Sequence, residues 1–253
     1  TLRKAIEHVV VTIQARQLEA ERRQIRFQFL SVLAHELKAP LNAVQGYMDV
    51  LEGQGTSLSE EDKATIFHRC ALRLKYMRKM IDDLLDLTRI ESGQKKRQLQ
   101  TIDIVEPAKL AVENVSSDTA ERGIDITIDA PDEMPFYGDS DEISIIFNNL
   151  VSNAVKYNSD NGTVSITIRE SDDAVRILVA DTGIGMTKED ASRLFSDFVR
   201  IKNEKTRQIP GSGLGLSIVK KIVGLYNGKV EVESEPDVGT TFTVTLQKLE
   251  QQG

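Results

Sequence analysis

Cysteine is almost absent. Cys70 is the only one in 253 residues, which excludes a disulfide framework and a cysteine-held zinc site. Cys70 falls on an apolar stripe, where a thiol serves as a small core residue. Long apolar runs are missing too: none approaches the roughly 20 residues that span a bilayer. No secretory signal is visible, so no segment is suited to direct membrane insertion. Positive charge is in deficit, with 32 Lys and Arg against 39 Asp and Glu and a net charge of -7. That excess of acid argues against a nucleic-acid binder. No internal repeat is evident. What is present is an ordinary soluble composition, 40% hydrophobic and 28% charged, in a chain long enough for two domains. It opens on Thr1 in helical pattern and is expected to be a fragment of a longer protein.

The chain is organised around Phe27–Met48, FQFLSVLAHELKAPLNAVQGYM. Phe27, Leu30, Ala34, Leu37, Leu41, Val44 and Met48 recur in steps of three and four, the seam of a coiled coil. His35 falls one place after a seam position, on the shoulder of the helix pair. Pro40 removes the N–H that would bond the Glu36 carbonyl, so the helix should bend or loosen beside the histidine. A neutral, exposed imidazole is a competent nucleophile near pH 7, and the adjacent Glu36 can orient it and stabilise the cation formed on attack. On its own such a pair is usually an ordinary solvated His–Glu neighbour.

The seam runs back through Ala20, Ile13, Val9, Ile6 and Leu2, interrupted by Arg16 and Arg23. These arginines mark either a place where register can change or stems that snorkel on a solvated coil. Gly53, Gly55 and Ser57 form a turn, and Ser59 with Asp62 predicts a helix start. A second helix is predicted over about 60–92, striped by Phe67, Cys70, Leu74, Met77, Ile81, Leu84 and Thr88. One hairpin cannot cover both stripes, so a dimeric four-helix bundle is expected. After a polar connector the period changes. An extended piece at 99–102, a helix near 107–120 and a strand at 124–128 precede a loop carrying Pro131 and Pro135. A long helix at 139–157, strands at 163–169 and 175–180, a short helix near 188–195, a helix near 214–226 and strands at 229–234 and 240–246 follow. Helices and strands in this mixed order predict an α/β sandwich.

Three constellations in this second part carry chemistry. Asn149, Asn153, Lys156 and Tyr157 are spaced by four, three and one, along one helix face. Two carboxamides and an ammonium suit a metal-bound polyphosphate, although a polar helix face is common. Asp181-Thr182-Gly183-Ile184-Gly185 follows the apolar strand RILVA. An acid there can accept from an exocyclic amine such as that of adenine, with glycines allowing a flat ring close approach; alone it is equally a turn. Gly211-Ser212-Gly213-Leu214-Gly215 opens a helix and presents N–H groups to phosphate. It lacks the preceding strand and the lysine of dinucleotide and P-loop fingerprints. The charged stretch RIKNEKTRQIP before it reads as a lid or as a plain irregular loop.

In this order the motifs resemble the sensor histidine kinases of two-component systems, over about residues 26–247. HELKAPL resembles their phosphoacceptor box; NNLVSNAVKY, DTGIGM, LFSDFVR, GSGLGLSI and GTTF resemble the boxes of their ATP-binding domain. The resemblance implies a coiled-coil linker over 1–25, a dimerisation and phosphotransfer domain over 26–94, and an ATP-binding domain of the GHKL (Bergerat) α/β sandwich type over 95–253. It implies ATP and Mg²⁺ as cofactors, a homodimer, a response-regulator receiver domain and an upstream sensor module as partners, and a cytoplasmic location, as the inner portion of a membrane-anchored sensor or otherwise.

By resemblance, His35 takes the γ-phosphoryl group and Glu36 acts as base or orienting partner. Asn153 binds Mg²⁺, Lys156 meets phosphate, Tyr157 lines the nucleotide site, and Asn149 is counted among the cofactor-binding residues. Asp181 receives the adenine amine, with Gly183 and Gly185 shaping its pocket. Gly211, Gly213, Leu214 and Gly215 hinge and cap the lid, Phe195 and Phe198 anchor it, and Arg200 holds the place of a phosphate-directed arginine. Two departures carry consequences. Related ATPases have Glu where this chain has Asn149, and an amide is a poor base, so little ATP hydrolysis is expected. Ala39 replaces the family's usual Thr or Asn four residues after the histidine, so weak phosphatase activity is expected. A GHKL-type ATPase and a non-catalytic dimeric scaffold are the alternatives. HELKAPL and Asn149 speak against the first, and intact Asn153, Asp181 and glycine boxes against the second.

Overall fold

A computed structural model of the chain describes residues 31, 33–53, 57–92, 97–197, 199–201, 203–207, 209 and 211–249. It divides into two units, Thr1–Met80 and Ile81–Gly253. The expected coiled-coil linker, with Arg16 and Arg23, and the seam residues Phe27 and Leu30 lie outside the described residues.

In the first unit, helix α1 covers residues 33–53 and continues helical through Pro40. Helix α2, Glu60–Ser92, starts where the sequence placed its cap. Ser59 Oγ accepts from Asp62 N at 3.1 Å and donates to the Asp62 carboxylate at 2.6 Å, satisfying a free N–H of the first turn. The buried strips differ from the predicted stripes. Leu33 and Pro40 are buried on α1, one residue before the seam positions Ala34 and Leu41, while Leu41 and Met48 are exposed. On α2, Cys70, Met80 and Leu87 are buried but Phe67 and Leu74 are 59% and 54% exposed. Each helix therefore carries two adjacent apolar strips, one covered within this chain and one open. A sequence stripe merges the two because they lie within one ~100° arc.

The second unit takes in the last turns of α2, then strand β1 (Gln100–Asp103), helices α3 (Val105–Asn114) and α4 (Ser116–Arg122), strands β2 (Asp125–Asp129) and β3 (Pro135–Gly138), and helix α5 (Ser140–Lys156). Strands β4 (Thr163–Glu170) and β5 (Ala174–Asp181), helices α6 (Lys188–Arg193) and α7 (Gly215–Leu225), and strands β6 (Lys229–Glu235) and β7 (Gly239–Gln247) complete it. Two readings are corrected. The single helix expected near 107–120 is two, broken at Val115. The proline loop contains β3, which pairs antiparallel with β1, Asp103 opposite Pro135. Pro135 is tolerated at the first position of so short a strand because its missing donor costs little there.

The main sheet runs β2-β4-β5-β7-β6. Only β2 and β4 are parallel; the other neighbours are antiparallel. Alternation along the strands sets the layers. Val164, Ile166 and Ile168 of β4, Val175, Ile177 and Val179 of β5, and Phe242, Val244 and Leu246 of β7 are buried. Ser165, Arg176 and Glu231 lie on the opposite, wetter face, the usual arrangement of an antiparallel sheet with one covered side. The buried face meets α5, whose Ile143, Ile146, Phe147, Leu150, Val151 and Ala154 are almost wholly enclosed, and α7. Asp139 caps α5 by accepting from Asp141 N and Glu142 N. The helix that carries the candidate site residues is thus fixed at its start by a side chain and along its length by the core.

Candidate nucleotide site

The far end of α5 positions the first group. Lys156 is its last residue and Tyr157 its C-cap. The ammonium lies 4.8 Å from the centroid of the Tyr157 ring, within cation–π range. Burial, and then the nearby Arg200 guanidinium, pull Lys156 down to about 8. Burial also pushes the Tyr157 phenol up. A Cβ on Gly211 would stand 2.6 Å from Lys156 Nζ, so this loop lies directly against the lysine's ammonium. Lys156, Tyr157, Arg200 and Gly211 therefore converge. Lys156 makes no salt bridge among the described residues, and the charge of Asp83 offsets only part of the effect of burial and Arg200 on it, so an anion bound beside the two cations would be favoured.

Asp181 closes β5 and forms the other end. Its carboxylate accepts from Gly183 N at 2.8 Å and from the Thr240 N–H, yet burial outweighs both and pushes it up to about 6. The loop after it is tied to α5: Ile184 N donates to the Tyr157 carbonyl at 3.0 Å. A Cβ on Gly183 would lie 2.2 Å from that carbonyl, and Gly185 takes φ +55° with its missing Cβ 1.9 Å from the Glu235 carbonyl. Both positions exclude any other residue on space alone. The Tyr157 backbone thus links the acidic end of the site to its cationic end.

The remaining residues fall as follows. Asn153 is half-buried, and no hydrogen bond holds its side chain among the described residues. Asn149 is buried; its Nδ2 donates to the Ile145 carbonyl at 2.8 Å, and its Oδ1 lies where a Cβ on Gly215 would come within 2.3 Å. Its amide is thus engaged with its own helix and the start of α7. Gly213 takes φ +73°, Leu214 is fully buried, and Gly215 opens α7. Phe195 meets the Phe242 ring edge-on at 6.4 Å; Phe198 lies outside the described residues. Arg200 donates to the Ile209 carbonyl at 2.7 Å. The expected lid is locally built: Asn203 Oδ1 accepts from Lys205 N and Thr206 N, and buried Thr206 donates to the Ile201 carbonyl. His35 is exposed and Glu36 half-buried on α1, and Ala39 is exposed.

Sequence reasoning passed over two supports. Asn158 is buried; its amide donates to the Thr163 carbonyl at 3.0 Å and accepts from Thr182 Oγ1 at 3.3 Å, fixing the turn from α5 to β4 against the glycine loop. Arg97 grips Glu142 through Nε and Nη2 at 2.9 and 2.7 Å and lies 4.5 Å over the Tyr226 ring. Tyr226 Oη in turn donates to Glu142 at 2.7 Å and accepts from Asp139 N at 2.9 Å. Only the Asn after the NAVKY run was a local signal; pairings across 45 and 84 positions leave none.

The donor set fits ATP with a hard cation. A half-buried carboxylate stands ready to accept at one end, and ammonium, guanidinium and a glycine-lined helix start gather at the other. Among the described residues no group of three His, Cys, Asp or Glu could hold a metal alone. Mg²⁺ typically takes one or two protein oxygens and completes its shell with phosphate and water, which the amide of Asn153 suits.

Comparison with known proteins agrees. Residues 25–93 match the model of the His Kinase A (phospho-acceptor) domain. Residues 138–250 match that of the histidine kinase-, DNA gyrase B- and HSP90-like ATPases. The chain belongs to the sensor histidine kinases. The sensor-like histidine kinase SenX3 of Mycolicibacterium smegmatis is 31% identical over 243 residues, covering 94% of this chain and 61% of SenX3. A crystal structure of full-length ShkA in complex with AMPPNP is 28% identical, with a TM-score of 0.63, and covers 88% of this chain and 46% of ShkA. Histidine kinase ThkA, solved in complex with the response regulator protein TrrA, shares the fold at 22% identity and a TM-score of 0.71, covering 90% of this chain and 64% of ThkA. The chain spans 39%, 38% and 61% of the first three curated relatives it matches. Its ATPase-like domain is an ATP-binding fold. No helix among the described residues is long and apolar enough to cross a membrane.

Proposed function

We propose that this histidine-kinase chain transfers the γ-phosphoryl group of ATP to His35 and passes it on to an aspartate of a response-regulator receiver domain. The observation that carries this reading is the polarity of the site in the second unit, acidic at Asp181 and cationic at Lys156 and Arg200, which matches a purine at one end and phosphates at the other. An imidazole nitrogen of His35 forms the N–P bond as the bond to the ADP oxygen breaks, and Glu36 takes up or orients the ring proton. Mg²⁺, held by Asn153, supplies charge neutralisation on the phosphate oxygens when bound.

Asp181 receives the adenine amine and Gly183 and Gly185 admit the ring. Tyr157 lines the site and Asn149 braces α5 against the glycine box. Lys156, Arg200 and the N–H groups of Gly211, Gly213, Leu214 and Gly215 serve the phosphates. The open strips on α1 and α2 pair with those of a second copy in a four-helix bundle. The proposed limits are 26–94 for the phosphoacceptor part and 95–253 for the ATP-binding part, and the site of action is the cytoplasm, where ATP is supplied. ShkA's nucleotide analogue and ThkA's regulator complex support the two partners by analogy. An ATPase or a non-catalytic scaffold is disfavoured by the phosphoacceptor match over 25–93.

Incubation with γ-labelled MgATP tests the reading. The chain should acquire acid-labile, alkali-stable label, and His35→Gln should acquire none. Equal labelling of the variant would refute His35 as acceptor.

A further inference from the structure

The last turns of α2 belong to the second unit, which begins at Ile81, and they bring an acid to the phosphate end of the site. Asp83 is 2% exposed. Its carboxylate accepts from Ser212 Oγ at 2.6 Å, a short bond of the charge-assisted kind. Ser212 lies in the glycine box between Gly211, which abuts Lys156, and Gly213. Its hydroxyl also accepts from Leu214 N at 3.2 Å, at the N-cap of the 11-residue α7. Two turns further along α2, Glu91 pairs with Lys221 of α7.

A buried carboxylate at a helix N-terminus enjoys the field that an incoming phosphate would use. The two anions cannot share it cheaply. Bringing a polyphosphate to Gly211–Leu214 beside the buried Asp83 carboxylate sets like charges together where water is scarce, which disfavours both. Asp83 also faces Lys156 closely enough for its charge to oppose the fall in that lysine's pKa, so it shares the cation that a phosphate needs.

We propose that Asp83 is a built-in competitor for the phosphate end of the nucleotide site, holding the glycine box through Ser212 until ATP or a shift of α2 displaces it. The proposal rests on the nucleotide-site reading above. Because α2 is one helix that begins in the first unit and ends in the second, the same carboxylate offers a lever by which α2 sets ATP affinity.

The test is direct binding of MgATP, MgADP and AMP to the full chain, to Asp83→Asn and to Asp83→Ala, with thermal melts to confirm folding. Asp83→Asn keeps the shape and removes the charge. Both variants should gain about fivefold or more in MgATP affinity, within the usual range of such couplings, less for MgADP, and nothing for AMP. Unchanged or weaker MgATP binding in a variant that melts cooperatively would overturn the competitor role, as would an equal gain for all three nucleotides. If neither chain nor variants bind MgATP, the nucleotide-site reading itself falls. If only the variants bind it, both readings stand.

Discussion

Asp181 and Lys156 frame the pH range in which the site can hold ATP. Asp181 titrates at about 6 because burial outweighs its two backbone donors. Below that pH it is protonated and offers fewer acceptor positions to an amine. Lys156 titrates at about 8 because burial and Arg200 disfavour its charge, and above that pH it gives phosphate no cation. ATP affinity measured by calorimetry should therefore peak between about 6 and 8 and decline on both sides. Asp181→Asn should weaken binding, flatten the acid limb, and raise the melting temperature of the nucleotide-free chain at pH 7. A folded-state pKa raised above the ordinary carboxylate value means stability present below about 4 and lost as pH rises through about 6. An acid limb that persists in the variant would remove Asp181 from this role. Ala39, exposed one turn from His35, has no group to hold a water. Loss of phosphate from a phosphorylated regulator should be slow with this chain and faster with Ala39→Thr; rapid loss with the parent would contradict this. These residue types were legible because each motif is local in sequence. Spacing puts Asn149 on α5 but does not reveal its contact at Gly215, which depends on how α7 approaches α5.

At the scale of elements, α5 is the scaffold of the site, and its start is held by a knot that the sequence does not announce. Arg97, Glu142, Tyr226 and Asp139 come from the connector, from α5, from the end of α7 and from the α5 cap. They tie both site-bearing helices to residue 97. Removing Arg97 leaves the nearly buried Glu142 with the Tyr226 phenol as its only side-chain donor among the described residues. Breaking one partner of a buried ion pair typically costs about 3–5 kcal/mol; the partial exposure of Arg97 places Arg97→Ala nearer about 2 kcal/mol. Denaturant melts should show that loss, with part of it regained in Arg97→Ala combined with Glu142→Leu. No change in midpoint would show that the knot is merely decorative. The main strands and helices were readable from period and turn residues. The break at Val115 and strand β3 were not: Val115 interrupts an otherwise helical pattern, and Pro135 looks like loop until β1 supplies a partner.

For the whole molecule, the unresolved demand of the helical unit is its second apolar strip. Phe67 and Leu74 on α2, with Leu41 and Met48 on α1, are exposed in the single chain, a patch of the kind that marks an association surface. Leu74→Glu should shift the chain from dimer to monomer in sedimentation, and an unshifted dimer would place the interface elsewhere. Periodicity revealed the stripes, but which half of each is covered within one chain depends on how α1 and α2 are rotated, and that is fixed only by packing.

The most direct measurement of the central claim is a single turnover with γ-labelled MgATP, following protein-bound and free phosphate together. Histidine phosphotransfer, with an amide rather than a carboxylate at Asn149, predicts that label first accumulates on the chain, maps to His35 and survives alkali, while little free phosphate appears. Free phosphate released at the rate of ATP loss, with no phosphorylated intermediate, would contradict the account and identify an ATPase.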